Sequence, residues 1–136
     1  MEDEIGVVIV DDSSWWLERL ESIVGETPGL SVVGSAATQL EALEVVTRLR
    51  PPITILDLSL SAGNGTGVLR ALRRLRADTR VIVMTGSPNP RQRERCLGFG
   101  ARYVFDKAFE LDDLPGALRK LRDEVRETGS VAKGGA

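Results

Sequence analysis

Short, nearly continuous apolar runs alternate along this chain with stretches whose apolar residues recur every three or four positions. Ile5-Gly6-Val7-Val8-Ile9-Val10 and Ile53-Thr54-Ile55-Leu56 have no polar face, the pattern of strands covered on both sides in a parallel sheet. Leu30-Ser31-Val32-Val33, Val81-Ile82-Val83-Met84 and Tyr103-Val104-Phe105-Asp106 read as three further strands. Between them lie helical stripes: Trp16, Leu20, Ile23 and Val24; Leu40, Leu43, Val46 and Leu49; Val68, Leu72 and Leu75; Leu114, Leu118, Leu121 and Val125. Asn89 before Pro90 supplies an N-cap and first helical position for a fourth helix, rich in Arg91, Arg93 and Arg95, that ends at Gly98 or Gly100.

Local signals sharpen these boundaries. Asp11-Asp12-Ser13-Ser14 is turn and cap chemistry for a helix reaching about Val24, and Thr38-Gln39-Leu40-Glu41 matches a capping box. Arg50-Pro51-Pro52 ends the second helix, because proline cannot continue it and drives its predecessor out of the right-handed region. The stretch from Ser59 to Gly65 is a flexible loop, and the last helix runs from Leu111 to about Arg126. Residues 1–127 therefore form one domain, and the Gly-rich segment 128–136 is expected to be disordered. Alternating strands and helices predict a parallel sheet with helices on both faces and right-handed crossovers. There is no internal repeat, and no stretch remains for an output domain.

Composition narrows the chemistry. The net charge of −2 gives no global bias towards nucleic acid. Residues 1–68 nevertheless hold three arginines against eleven acids, and the remainder fifteen basic residues against nine acids, so a basic surface is expected in the second half. The single cysteine, Cys96, cannot form an internal disulfide, and the acidic Met1-Glu2-Asp3-Glu4 start is no signal peptide, which together point to the cytoplasm. No apolar run approaches the roughly 18 residues of a membrane span. The chain has no histidine, which removes histidine triads, Cys/His metal clusters and histidine phospho-donation.

What remains is carboxylates, hydroxyls and lysine, and these stand at strand ends. Asp11-Asp12 follows the first strand, Asp57 the third, Thr85 the fourth and Lys107 the fifth. In open α/β sheets ligands sit in the crevice beyond the carboxyl ends of the strands. Singly, each has an ordinary explanation as a helix cap, a strand-end hydroxyl or a solvated charge. Together, three clustered carboxylates repel unless a cation joins them, and an oxygen-only donor set suits Mg²⁺ or Mn²⁺. Asp57 is then a nucleophile towards a phosphoryl group, with Lys107 neutralising the transferred oxygens and Thr85 donating a hydrogen bond to the product.

The ordered set Asp11-Asp12, Asp57, Thr85 and Lys107, supported by Asp57-Leu58-Ser59-Leu60 with Gly65 and by Gly100-Ala101, resembles the receiver domain of two-component response regulators from about Ile5 to Arg126. The resemblance implies a flavodoxin-like (βα)5 fold of strand order 2-1-3-4-5, and phosphorylation of Asp57 by a histidine kinase or phosphotransfer protein. It also implies Mg²⁺ bound by Asp11, Asp12, Asp57 and the backbone carbonyl of Ser59. In such domains the threonine moves towards the acyl phosphate, an aromatic residue on the fifth strand swings inwards, and the face of the fourth helix, fifth strand and fifth helix rearranges. This chain departs from that pattern at three positions: Ser61 and Ala108 replace prolines, and Val104 replaces the switch aromatic. Tyr103 and Phe105 flank Val104 but, by strand alternation, point to the opposite face.

The expectation is therefore a stand-alone receiver that promotes its own phosphorylation and dephosphorylation without being an enzyme in its own right. Its output is phosphorylation-dependent binding of a target protein at the basic face carrying Arg91, Arg93, Arg95, Arg102 and Arg119. It is expected to bind neither nucleic acid nor membrane and to be a monomer or weak homodimer. A phosphorelay intermediate or phosphate sink fits the same residues. A small phosphohydrolase with an aspartate nucleophile generally needs a second acid two positions on, where Ser59 stands, and the acids and Lys107 argue against an unphosphorylated scaffold.

Overall fold

The apolar runs become five parallel strands: β1 (Ile5–Val10), β2 (Leu30–Ala36), β3 (Ile53–Leu56), β4 (Arg80–Thr85) and β5 (Tyr103–Asp106). Their order across the sheet is β2-β1-β3-β4-β5, the flavodoxin-like arrangement expected. Helices α1 (Ser14–Gly25), α2 (Gln39–Leu49), α3 (Gly65–Arg74), α4 (Pro90–Gly98) and α5 (Leu114–Gly135) connect and follow the strands, with a 3₁₀ turn at Leu111–Asp113 before α5. The computed structural model describes residues 4–135, with side chains from 4 to 128.

Strand alternation divides the core in two. Val7, Ile9, Ile53, Ile55, Ile82 and Met84 face α1 and α5, meeting Leu20, Val24, Leu114, Leu118 and Leu121. Val8, Val10, Leu56, Val81, Val83 and Val104 face the other way, onto Ala42 and Val46 of α2, Val68, Leu69 and Leu72 of α3 and Cys96 of α4. Tyr103 and Phe105 stack with ring centroids 5.5 Å apart on the α1/α5 side, opposite Val104, as alternation requires.

Several boundaries and stripes differ from the sequence expectation. β2 runs to Ala36 because its ladder with β1 continues past a register shift between Val7 and Val8. In α2 the buried positions are Ala42 and Val46, whereas Leu40 and Leu49 are exposed. The small Ala42 side chain lets the helix approach the sheet closely, and that face prevails over the leucine-rich one. In α3 Leu69 joins Val68 and Leu72 in the core, while Leu75, just beyond the helix, is exposed. The α2 cap also reaches further than a standard box: Thr38 Oγ1 accepts from Glu41 N–H at 3.1 Å, but Glu41 Oε1 accepts from Ala37 N–H at 2.9 Å. At α4 the complete box is present, Asn89 and Gln92 each accepting the other's backbone N–H.

Helix α5 is longer than expected, continuing past residue 126 to Gly135; isolated glycines cost a helix about 1 kcal/mol each without forbidding it. For the expected disordered tail at 128–136, the side chains from 129 on, and Ala136 altogether, lie outside the described residues. Among the described residues no helix is long and apolar enough to cross a membrane.

Ion pairs stitch α4 and α5 onto the sheet. Glu124 accepts from both terminal nitrogens of Arg102, at 2.9 and 2.7 Å, and from Arg80 Nε at 3.2 Å. Arg93 of α4 donates to Glu110 Oε1 at 2.6 Å and to the Val104 carbonyl at 2.8 Å. The Arg93 hydrogen bond holds Glu110 below the usual carboxylate range, and the Arg102 hydrogen bond does the same for Glu124. Because both acids have lowered folded-state values, the stability they contribute is fully present above about 4.5 and is lost as pH falls through those values. Urea unfolding followed between pH 6 and roughly pH 3 should therefore show a shallower acid loss in the double variant Glu110→Gln/Glu124→Gln than in the unaltered chain; equal slopes would refute the assignment.

Candidate functional site

The strand order places β1 beside β3 at the centre of the sheet, where the chain direction of successive connections reverses. This is the switch point at which a crevice opens in doubly wound sheets. Val10 pairs with Leu56 and Thr85 with Asp106, so the residues just past the strand ends are neighbours. The Asp57 N–H donates to the Val10 carbonyl at 2.9 Å and the Lys107 N–H to the Thr85 carbonyl at 2.9 Å, which continues the ladder one step beyond the strands.

Asp11, Asp57, Thr85 and Lys107 are all buried there. Lys107 Nζ donates to Asp11 Oδ2 at 2.6 Å and to Asp57 Oδ2 at 2.8 Å. The other oxygen of Asp57 accepts from Thr85 Oγ1 at 2.8 Å and from the Ser59 backbone N–H at 3.0 Å. Asp11 Oδ1 accepts from the Ser13 N–H at 2.9 Å. Burial raises the Asp11 carboxyl above its usual value, and the Lys107 and Ser13 hydrogen bonds oppose that rise.

Asp12 is the exposed member: Asp11, Asp12 and Asp57 each present a carboxylate oxygen within 4.8 Å of the others. Asp12 does not cap α1, a role taken by Ser13, whose Oγ accepts from the Trp16 N–H. Two buried acids and one solvent-facing acid form a donor set open to water on one side. Oxygen-only ligands with room for retained waters fit a small hard cation.

The loop after Asp57 is held without the proline that Ser61 replaces. Ser61 Oγ donates to the Ala37 carbonyl at 3.2 Å, the Gln39 N–H to the Ala62 carbonyl at 3.0 Å, and the Asn64 N–H to Gln39 Oε1 at 3.1 Å. The α2 N-terminus thus clasps this loop from the side. At the second departure, Ala108 uses an N–H that proline lacks: it donates to Asp106 Oδ1 at 2.8 Å. The Lys107-Ala108 peptide bond is trans, as for every described residue.

All the sequence-predicted side chains therefore come together, and Ser59 sits against Asp57 through its backbone N–H. The expectation for Trp16 is met in part, since it packs against the α1/α5 core without being fully buried. Trp15 is exposed (62 %), whereas Trp16, expected in the buried stripe, is half-buried with its ring 4.6 Å from Lys107 Nζ. The Gln39 clasp and the Arg93–Glu110 pair carried no sequence signal, since their partners lie 25 and 17 residues away and belong to no periodic pattern.

With that geometry in place, known proteins agree with it. The sequence profile of the response regulator receiver domain matches residues 7–119. The chain belongs to the response regulator receiver family. This receiver is 33 % identical over 131 residues to a protein-glutamate methylesterase/protein-glutamine glutaminase of Treponema pallidum, covering 93 % of the chain and 32 % of that protein. It is 30 % identical over 116 residues to the transcriptional regulatory protein YvfU of Bacillus subtilis, covering 85 % of the chain and 58 % of the relative. The receiver thus spans a third to rather more than half of these two curated relatives. Among solved structures, the response regulator domain of Thermotoga maritima CheB superposes with a TM-score of 0.78 at 28 % identity, over 88 % of this chain and 95 % of that one. The receiver domain of a LuxO repressor protein from Vibrio parahaemolyticus shares the fold, with a TM-score of 0.85 at 21 % identity over 94 % and 97 % of the two chains.

Proposed function

We propose that this receiver takes a phosphoryl group on Asp57 from a histidine kinase or phosphotransfer protein, in a Mg²⁺-dependent reaction, and signals through altered binding of a protein partner. The observation that carries this reading is the state of Asp57: buried, anchored through one oxygen by Thr85 and Ser59 and through the other by Lys107, beside two further acids. Family membership supports the same role.

Asp11, Asp12 and Asp57, with the Ser59 carbonyl, are the residues that would hold Mg²⁺, or Mn²⁺ in its place; bound there, the ion neutralises charge on phosphoryl oxygens. An Asp57 carboxylate oxygen attacks phosphorus, the bond to the donor's leaving atom breaks, and that atom keeps the electron pair. Lys107, already in contact with Asp57, faces the charge that develops on the transferred oxygens. Thr85 has its hydroxyl turned into the site and exchanges its carboxylate acceptor for a phosphoryl oxygen. The acyl phosphate carries about two negative charges where the carboxylate carried one, a net gain of about one, and it presents three strong acceptor oxygens. In this proposal the chain promotes its own phosphorylation and dephosphorylation but is a signalling domain rather than an enzyme.

The output face formed by α4, β5 and α5 keeps Arg91, Arg95 and Arg119 exposed, while Arg93 and Arg102 are engaged in ion pairs. A separate target protein binding that face is the stand-alone mode of action we favour, in the cytoplasm, as a monomer or weak homodimer and without nucleic acid or membrane; phosphorelay or phosphate-sink use draws on the same chemistry.

Intact-mass measurement after incubation with Mg²⁺ and acetyl phosphate tests this directly. One phosphoryl addition in the unaltered chain and none in Asp57→Asn is the expected pair of results. Continuous phosphate release without an adduct would indicate a phosphohydrolase, and no reaction in either protein would leave only a scaffold.

A further inference from the structure

We infer that Trp16 is a positioning residue for phosphoryl transfer: its indole face confines the Lys107 ammonium between Asp11 and Asp57. This assignment rests on the reading of Asp57 as phosphoacceptor. Lys107 Nζ lies 4.6 Å from the Trp16 ring centroid, within the range in which a cation is attracted to an aromatic face. The same ammonium donates to Asp11 Oδ2 at 2.6 Å and to Asp57 Oδ2 at 2.8 Å.

The chemistry of the third neighbour matters. A third carboxylate in that place would compete for the ammonium and draw it from the transferred group, and water would screen its field. The indole does neither, because it attracts the cation through its quadrupole yet offers no lone pair to a proton. The ammonium, itself buried, is thereby held where phosphoryl oxygens arrive, and burial strengthens the action of its charge.

Geometry also explains why this falls to Trp16 and not to its neighbour. Ser13 caps α1 by accepting from the Trp16 N–H, which fixes this residue in the first turn next to Asp11. The Trp15 ring meets the Trp16 ring edge-on at 86°, with centroids 5.0 Å apart, and is exposed. Trp15 thus packs edge-on against Trp16 while remaining open to solvent.

The chain has two tryptophans, so Trp15→Phe and Trp16→Phe each leave one reporter. Acetyl phosphate is the donor for the test, because a small molecule separates the chemistry from docking of a protein donor. Phosphorylation rates in Mg²⁺ are compared for the unaltered chain, Trp16→Phe and Trp16→Leu; the leucine keeps apolar bulk but has no aromatic face. Trp16→Leu should react about tenfold more slowly and Trp16→Phe within roughly threefold of the unaltered rate, at similar unfolding midpoints. Phosphorylation should change the emission of the Trp15→Phe protein, whose reporter is Trp16, more than that of Trp16→Phe. Equal rates in the leucine and phenylalanine variants would overturn the assignment while leaving Asp57 as phosphoacceptor. Failure of the unaltered chain to take up a phosphoryl group would overturn both.

Discussion

Lys107→Met is expected to destabilise the metal-free protein by about 3–5 kcal/mol, the range for removing one partner of a buried ion pair, and to abolish phosphorylation by acetyl phosphate. The reason is the charge balance of the crevice. Lys107 is 9 % exposed and its ammonium is the group hydrogen-bonded to both buried acids, Asp11 and Asp57. Without it two carboxylates face each other in a poorly solvated pocket, and one is driven to take up a proton. Two further measurements separate this cause from a packing defect. Adding Asp11→Asn to Lys107→Met should recover much of the lost stability, since it removes half of the uncompensated charge. Mg²⁺ should raise the unfolding midpoint of Lys107→Met more than that of the unaltered chain, because a cation drawn to the acids supplies the missing positive charge. If neither recovers stability, charge balance is not what Lys107 supplies.

Gly65→Ala is the second large effect. A Cβ at Gly65 would stand 2.2 Å from the Asp57 carbonyl oxygen and 2.7 Å from the Leu58 Cα. Both are backbone atoms of the segment that carries Asp57, so no rotamer change relieves the clash and the main chain must move. Overpacking of this kind costs about 3 kcal/mol, and an ångström of misplacement at a reacting group costs about 10²-fold in rate. Gly67→Ala provides the contrast. Its Cβ would meet the far end of the Gln39 side chain, which can swing aside at the cost of its hydrogen bond from the Asn64 N–H, so stability and rate should fall far less than in Gly65→Ala. Thermal unfolding and the acetyl phosphate rate read both; similar losses in the two variants would contradict the account.

Much of this site was legible in the sequence because its parts obey local rules. Ile5 to Val10 and Ile53 to Leu56 declare buried strands by lacking a polar face, and the acids that follow them are therefore strand-end residues. Alternation of strands and helices gave parallel topology, and parallel topology puts every strand end on the same edge of the sheet. The partial failures share a physical origin. In α2 the leucines at 40 and 49 suggested one stripe, but the small Ala42 set the buried face. The side of Trp16 that meets Lys107 depends on a contact across 91 positions of chain, which helical periodicity does not contain. The same holds for the clasp by Gln39 and for the ion pair between Arg93 and Glu110. Where proline was missing, at Ser61 and Ala108, the sequence showed only the loss; the hydrogen bonds to the Ala37 carbonyl and the Asp106 carboxylate became visible in three dimensions.

Arg93 ties α4 to β5 and to the turn that follows it. Its guanidinium grips the carbonyl of Val104 and the carboxylate of Glu110, and the same Glu110 oxygen accepts the N–H of Asp106, the residue joined to Lys107. A pull on the lysine is thus mechanically linked, through the peptide bond and two hydrogen bonds, to the outer helix α4. Linkage of this kind runs both ways: a protein that clamps α4 in its present seat also steadies the ammonium, and one that prises the helix away loosens it. On the proposed function, a target that takes hold of α4 should change the lifetime of the phosphoryl group on Asp57, which dephosphorylation followed with and without that target would read.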